Sequence, residues 1–258
     1  MKVMNGYALF CCKTDVGLQR HSNDDSHIVI ENIWGFGPGK TGGLFAVADG
    51  MSGHIGGATA SRKAVDGLRR QYSVAFEQSR DEIQANAIYR LEKVVLDIHE
   101  KISELADNIA EYEYMGTTLS VLLLLEKAAY IAHVGDSRIY RLRRDRLEQL
   151  THDDTMAQLS VEMGYMEPEE AITHPLRHSL VQSLGQGVDE VQTVTKEIES
   201  GDIFLLCSDG LYDMVADSEI RDILRDAADD WRPCDRLMAA ALQNGGKDNV
   251  TIIVVRIL

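Results

Sequence analysis

Apolar residues in this chain fall into short blocks near its ends and middle, with longer amphipathic stretches between them. Tyr7–Cys12, His27–Ile30 and Leu44–Ala48 are runs of strand length joined by polar connections. Short apolar runs bounded by turn residues read as buried strands. The period then changes. Ala58 to Phe76 reads as a helix, and a second, from about Asp81 to Ile109, is clearer. In it Ile88, Leu91, Val95, Ile98, Ile102, Leu105 and Ile109 recur at three or four residues, with Glu and Lys on the other face. Thr118–Leu125, Ala129–Val134 and Arg138–Leu142 follow as a meander, turning at Glu126-Lys127 and at Gly135-Asp136-Ser137. Ile203–Cys207 and Val250–Ile257 are two further strands. Between them lie the short helices Ser218–Ala227 and Cys234–Leu242, the second with Pro233 near its start. Residues 152–187 keep neither period, contain Pro168 and Pro175, and read as a flap on the surface.

Strands that arrive in hairpins and helices that arrive in pairs predict antiparallel sheets covered by helices, an α+β fold and not an alternating βαβ one. Eight or more strands suffice for two packed sheets with helix pairs on the outer faces. No internal repeat or low-complexity linker divides the 258 residues, which are expected to form a single domain.

Charge narrows the partners. Lys plus Arg number 26 against 41 Asp plus Glu, a formal net charge of −15. That disfavours nucleic acid and anionic membranes. It also repels a phosphorylated substrate at long range, unless metals and arginines reverse the local field. Cys11, Cys12, Cys207 and Cys234 show neither a CxxC pair nor a zinc spacing. The first three lie in apolar runs and are expected to be buried thiols; with no disulfide framework, a reducing cytoplasm is the expected compartment. Met1–Phe10 lacks the charged start and apolar stretch of a signal peptide, and the longest apolar run, Val121–Leu125, is far short of a membrane span.

The candidate chemistry lies in acidic islands: Asn23-Asp24-Asp25, Ala48-Asp49-Gly50, Gly135-Asp136-Ser137-Arg138, Ser208-Asp209-Gly210 and Asp248-Asn249. Three of them directly follow apolar runs, Leu44–Val47, Ala129–Val134 and Ile203–Cys207. An aspartate at the end of a buried strand is poorly solvated and needs a cation or a hydrogen-bonding partner. Several converging aspartates repel one another unless metal holds them ionised. All-oxygen sites suit magnesium, manganese or calcium. The islands therefore predict a multi-metal carboxylate site built on strand ends.

These islands belong to longer motifs: Asp15 to Asp25, Phe45 to His54, Met115-Gly116-Thr117-Thr118, Ala132 to Arg138, Leu150-Thr151-His152-Asp153, His174-Pro175-Leu176-Arg177, Leu206 to Leu211 and Gly246 to Thr251. Through them, and over nearly its whole length, the chain resembles the metal-dependent protein serine/threonine phosphatases of the type-2C or PPM family, in their compact bacterial form. The resemblance implies a four-layer αββα sandwich with the site at one end. It implies that Asp49 bridges two metals, manganese or magnesium, with the Gly50 carbonyl completing one shell. Asp209 and Asp248 would ligate the second metal, with Asp25, and Asp24 through water, close to the first. Asp136 with Asp209 would hold a third. Arg20 would grip the substrate phosphate, a task its planar, permanently charged fork suits. The implied reaction is hydrolysis of phosphoserine and phosphothreonine by attack of a metal-bridging hydroxide, with no phosphoenzyme. The implied partners are phosphorylated proteins, among them a bacterial Ser/Thr kinase or its substrates.

The chain departs from the family at several positions. Animal members carry a histidine directly after the Asp-Gly pair, where Met51 stands here; His54 follows three residues later as an outer-shell candidate, and Asn249 as a hydrogen-bonding support. Asp24 stands where glutamate is common, Ser52 replaces glycine, and Asp154-Thr155 replaces a His-Ser pair. Gly37-Pro38-Gly39-Lys40-Thr41 imitates a nucleotide-binding loop, but Trp34 occupies the position of the required first glycine and a strand, not a helix, follows. His174 and His178 are four apart, yet Pro175 breaks the helix that would align them on a metal; flap positioning or substrate contact is expected instead. Two other readings compete: a pseudophosphatase that binds phosphoproteins without hydrolysis, whose hallmark would be a lost metal ligand, and a small-phosphoester hydrolase on the same fold. No regulatory domain is expected after the closing strand.

Overall fold

Every strand pairing among the described residues is antiparallel, and the strands form two sheets. The computed structural model describes residues 2–4, 7–31, 33, 42–51, 56–72, 85–226 and 232–258. The first sheet holds β1 (Lys2–Met4), β2 (Ala8–Asp15), β7 (Arg138–Arg143), β8 (Arg146–Gln149), β10 (Ile203–Cys207) and β11 (Val250–Ile257), in the order β1-β2-β11-β10-β7-β8. The second holds β3 (Ser26–Glu31), β4 (Gly42–Ala48), β5 (Leu119–Leu125), β6 (Ala128–Val134) and β9 (Gln192–Glu197), in the order β3-β4-β5-β6-β9.

Three apolar layers hold the stack together. Side chains alternate along a strand, so Phe204 and Leu206, with Phe10 and Ile253 of their own sheet, face the opposite sheet and pack with its Phe45 and Leu122. Phe10 and Phe45 pack edge to face at 5.7 Å. Leu205 and Cys207 point the other way, toward α6 (Asp217–Asp226) and α7 (Pro233–Gln243), against Ile220, Leu224 and Leu237. On the far side, α1 (Gly57–Tyr72) and α2 (Ala87–Asn108) lay Leu68, Leu91, Ile98 and Ile102 onto Leu44, Val121 and Leu123. The result is the expected αββα sandwich. Because both faces of β4 and β5 are covered, every residue of each strand is buried. That is why they read as continuous apolar runs and not as alternation.

The elements missed in the sequence are its polar edges. β8 (Arg-Leu-Glu-Gln) and β9 (Gln-Thr-Val-Thr-Lys-Glu) are edge strands exposed at both ends or at alternate positions, and β1 is three residues long. Charged, short edges discourage pairing with other chains and carry little hydrophobic signal. The flap contains α3 (Met156–Glu162), capped by the Thr155 hydroxyl, a short turn of helix, α4 (Pro168–Ala171), and a 3₁₀ turn at Pro175–His178. The imitation nucleotide loop and the expected helix extensions over 73–76 and 81–84 lie outside the described residues.

The cysteines depart from expectation. Cys11 is not a buried thiol: it is disulfide-bonded to Cys234, with Cα atoms 6.2 Å apart, and so ties β2 to α7. Cys12, its neighbour on the opposite face of β2, is exposed and forms no disulfide, and Cys207 is buried and likewise outside a disulfide. Sequence spacing could not show the pair, because the antiparallel β2–β11 pairing is what carries Cys11 under α7.

Candidate metal centre and phosphate cleft

The register of the sheets gathers the acidic islands. β10 ends opposite the start of β11, with Cys207 across from Ile252, so Asp209 and Asp248 emerge at the same end of the first sheet. In the second sheet Ser26 pairs with Ala48, which brings Asp25 beside Asp49. β6 ends at Val134, opposite Leu119, and delivers Asp136 to the same end. Arg20, Asp49, Asp136, Asp209, Gly210 and Asp248 line one cleft of about 520 Å³, together with Met51, Thr118, His178 and Lys247.

The backbone beneath them is held from several directions. The Asp49 amide donates to Thr118 Oγ1 at 2.9 Å, and the Asp49 carbonyl accepts from the Thr118 amide and the Thr117 hydroxyl. Ser208 donates its hydroxyl to Asp25 Oδ2 at 2.8 Å and accepts from the Thr251 amide. Asn249 ties three segments together. Its Oδ1 accepts from the Asp24 amide at 2.8 Å, and its Nδ2 donates to the carbonyls of Val16 and Ser22. Gly50 and Gly210 are required by close approach. A Cβ at Gly50 would sit 2.3 Å from the Gly57 carbonyl oxygen, and one at Gly210 2.0 Å from that of Asn249.

The electrostatics are those of an acid cluster in need of a cation. Burial, reinforced by Asp213 and Asp248, pushes the Asp209 carboxyl up to about 7. Burial also pushes Asp25 up to about 6. Asp49 lies well above the ordinary carboxylate range through burial and then the charges of Asp25, Asp209, Asp136 and Asp248. Asp136 is raised by burial and by Asp209. Asp25 Oδ1 and Asp209 Oδ1 are buried without any hydrogen-bond partner. An orphaned, negatively charged oxygen is costly, and a hard divalent cation satisfies several at once. The donor set therefore fits magnesium or manganese. Arg20 stands at the rim, 41 % exposed, with Nη2 2.6 Å from Asp248 Oδ2.

Residues that sequence reasoning left aside also converge here. A single helical turn, α5 (Asp209–Tyr212), follows β10, and the Asp213 amide bonds back to the Asp209 carbonyl. It thereby brings Asp213 into the cleft, four residues after Asp209; that spacing was the available signal. Asp213 is bound bidentately by Arg177 and lies 3.1 Å from His178 Nε2. Burial raises it, but the hydrogen bonds of His178 and Arg177 hold it below the usual carboxylate value. The bond to Asp213 in turn raises His178. His54 and Ser52 lie outside the described residues.

The family model described as "Protein phosphatase 2C" matches residues 22–248. The chain belongs to the protein phosphatase 2C family. It is 37 % identical over 246 residues to protein phosphatase PhpP of Streptococcus pneumoniae, covering 94 % of each chain. It is 34 % identical over 245 residues to the serine/threonine phosphatase stp of Listeria innocua, covering 94 % of this chain and 93 % of that one. A solved structure of the catalytic domain of serine/threonine protein phosphatase PstP in complex with two manganese ions superposes with a TM-score of 0.80 at 31 % identity, covering 98 % of this chain and 99 % of that one. Membership makes the chain a metal-dependent serine/threonine protein phosphatase, a hydrolase, and its sandwich is the family fold.

Proposed function

We propose that this cleft removes phosphate from phosphoserine and phosphothreonine in proteins, with Asp49, the Gly50 carbonyl, Asp25, Asp209 and Asp248 holding two manganese or magnesium ions. Asp136 adds a further carboxylate beside Asp209, and Asp24 and Asn249 support the shell from behind. The observation that carries the reading is the pair of orphaned buried oxygens on Asp25 and Asp209, the second lining a cleft edged by Arg20. When bound, such a metal pair lowers the pKa of water between the ions, so that hydroxide is available near neutral pH.

The chain's own side chains supply the rest. The Arg20 guanidinium donates in-plane hydrogen bonds to phosphate oxygens and neutralises charge that grows on them during in-line displacement. Its ion pair with Asp248 is partly exposed, and such pairs are weak enough to exchange for a phosphate. The threonine hydroxyls beneath Asp49 fix its backbone, and the Ser208 hydroxyl fixes the Asp25 carboxyl, before substrate arrives. No cysteine lines the cleft, and burial raises the Cys207 thiol, so a phosphocysteine has no nucleophile to form on. Met51 carries no proton to give to the leaving alkoxide.

The phosphorylated partner is taken to be a Ser/Thr kinase or its substrates, by analogy with the family, and residues 1–258 are read as one catalytic domain. A cytoplasmic location is likewise inferred. It is supported by Cys12 and Cys207, which form no disulfide, while the Cys11–Cys234 bond argues for an oxidising environment. No described helix is long and apolar enough to cross a membrane.

Release of phosphate from a phosphothreonine peptide, measured with manganese, magnesium or EDTA, tests the function. Release is expected with either metal, none with EDTA, and none from folded Asp209→Asn. Release that persists in EDTA would exclude the metal reading; binding of the phosphopeptide without release would leave a pseudophosphatase.

A further inference from the structure

We propose that His178 is itself a metal ligand, its Nδ1 joining the carboxylates of Asp136 and Asp209 in a mixed nitrogen–oxygen site for a divalent transition metal. The inference rests on the reading of the cleft as a metal centre and adds a ligand that arrives from the flap.

One ligand atom from each of Asp136, His178 and Asp209 lies within 4.8 Å of the others. A hard cation with bonds of about 2.1 Å holds neighbouring ligands about 3 Å apart and opposite ones about 4.2 Å apart, so the three are close enough to converge on one ion with small side-chain adjustments. His178 Nδ1 already stands 3.6 Å from Asp209 Oδ2. Two further observations point to an ion at this place. The Asp136 side chain belongs to a residue only 6 % exposed, and the hydrogen bond it receives comes from its own backbone amide. Asp209 Oδ1 is buried with no partner at all.

The other ring nitrogen decides the orientation. Nε2 lies 3.1 Å from Asp213 Oδ2, and a carboxylate can only accept, so Nε2 carries the proton. Asp213 is itself clamped by Arg177 Nη1 and Nη2 at 2.5 and 3.0 Å. A metal-bound imidazole almost always donates its second N–H to a carboxylate in this manner, which fixes both tautomer and ring plane. In the tautomer protonated at Nε2, the Nδ1 lone pair faces the Asp209 carboxylate. Two acceptors so placed repel unless a cation lies between them.

Two consequences follow. The 3₁₀ turn Pro175–His178 belongs to the flap, so a metal here would tether the flap to Asp136 and Asp209, which sit at the ends of β6 and β10. An imidazole also shifts preference away from magnesium toward manganese and the later first-row ions.

The test uses the full chain loaded with manganese. Pulsed electron paramagnetic resonance should detect imidazole nitrogen coupled to one bound manganese, a readout independent of turnover. His178→Asn, which keeps a polar side chain of similar size, should abolish that coupling and weaken the last manganese bound by about tenfold or more, leaving the tighter ones unchanged. Asp213→Asn, which frees the ring, should weaken the same ion while retaining a nitrogen signal. Manganese-loaded wild-type protein with no nitrogen coupling, or equal affinity for the last ion in His178→Asn, would overturn the assignment and leave His178 as a protonated partner of Asp209 and Asp213. Failure to bind manganese anywhere would instead defeat the underlying reading of the cleft.

Discussion

Replacing Asp209 with asparagine should make the metal-free phosphatase more stable while destroying its activity. In the folded chain Asp209 titrates near 7 and Asp25 near 6, against an ordinary 3.8. Each unit is worth about 1.4 kcal/mol. The shifts alone thus amount to about 4 kcal/mol for Asp209 and about 3 kcal/mol for Asp25. The sign follows from proton binding. Between about pH 4 and 7 the folded state holds protons that the unfolded state has released, so stability falls as pH rises. His178, also raised, acts in the same direction, whereas His27, His99 and His133, lowered by burial, oppose it below about pH 6.5. For a chain of this size the Asp209 contribution alone, about 4 kcal/mol, corresponds to a shift in melting temperature on the order of 10 °C. Calorimetry in EDTA should therefore find wild type melting lower at pH 7.5 than at pH 5. Asp209→Asn should recover much of the loss at pH 7.5 and gain little at pH 5. Manganese should raise wild type at pH 7.5 far more than the variant, by linkage to binding. If EDTA-treated wild type melts at one temperature across this range, or if Asp209→Asn melts lower at pH 7.5, the acid cluster is not the strained, cation-seeking element argued above.

Arg20→Ala should raise KM for a phosphothreonine peptide about ten- to a hundredfold, the worth of a charge-assisted hydrogen bond. Its melting temperature should barely move, because the Asp248 pair is exposed; steady-state kinetics and a melt together check this. Asn249→Ala removes a side chain that bonds the Asp24 amide and the Val16 and Ser22 carbonyls from a residue 3 % exposed. It should cost about 2–4 kcal/mol in urea unfolding and weaken manganese binding. A strong reductant should lower the melting temperature of wild type, the Cys11–Cys234 bond closing a sequence separation of 223 residues worth up to about 5 kcal/mol by chain entropy. Cys11→Ser should be indifferent to reductant, and an unresponsive wild type would mean that the two sulfurs stay as thiols in solution.

The sequence by itself determined the layers and most of the site's chemistry. Leu44–Val47, Val121–Leu125 and Ile203–Cys207 could only be buried strands, and the spacing from Ile88 to Ile109 could only be an amphipathic helix, because burial imposes its period on local sequence. Aspartates set at the ends of such strands announced a cation site for the same reason, since desolvation there is intolerable without one. What depends on contacts distant in sequence was not legible. The polar edge strands β8 and β9 exist because sheets lend them hydrogen bonds, not because their side chains seek a core. Cys11 meets Cys234 across 223 residues only once β2 pairs with β11 and α7 packs over them. The Arg177–Asp213–His178 cluster joins an irregular flap to a single turn of helix, and neither carries a periodic signal. Local patterning is written by burial, which each residue carries in its own side chain. Convergence of charges from the flap, a turn and five strand ends is written by register and packing, which exist only in the folded molecule.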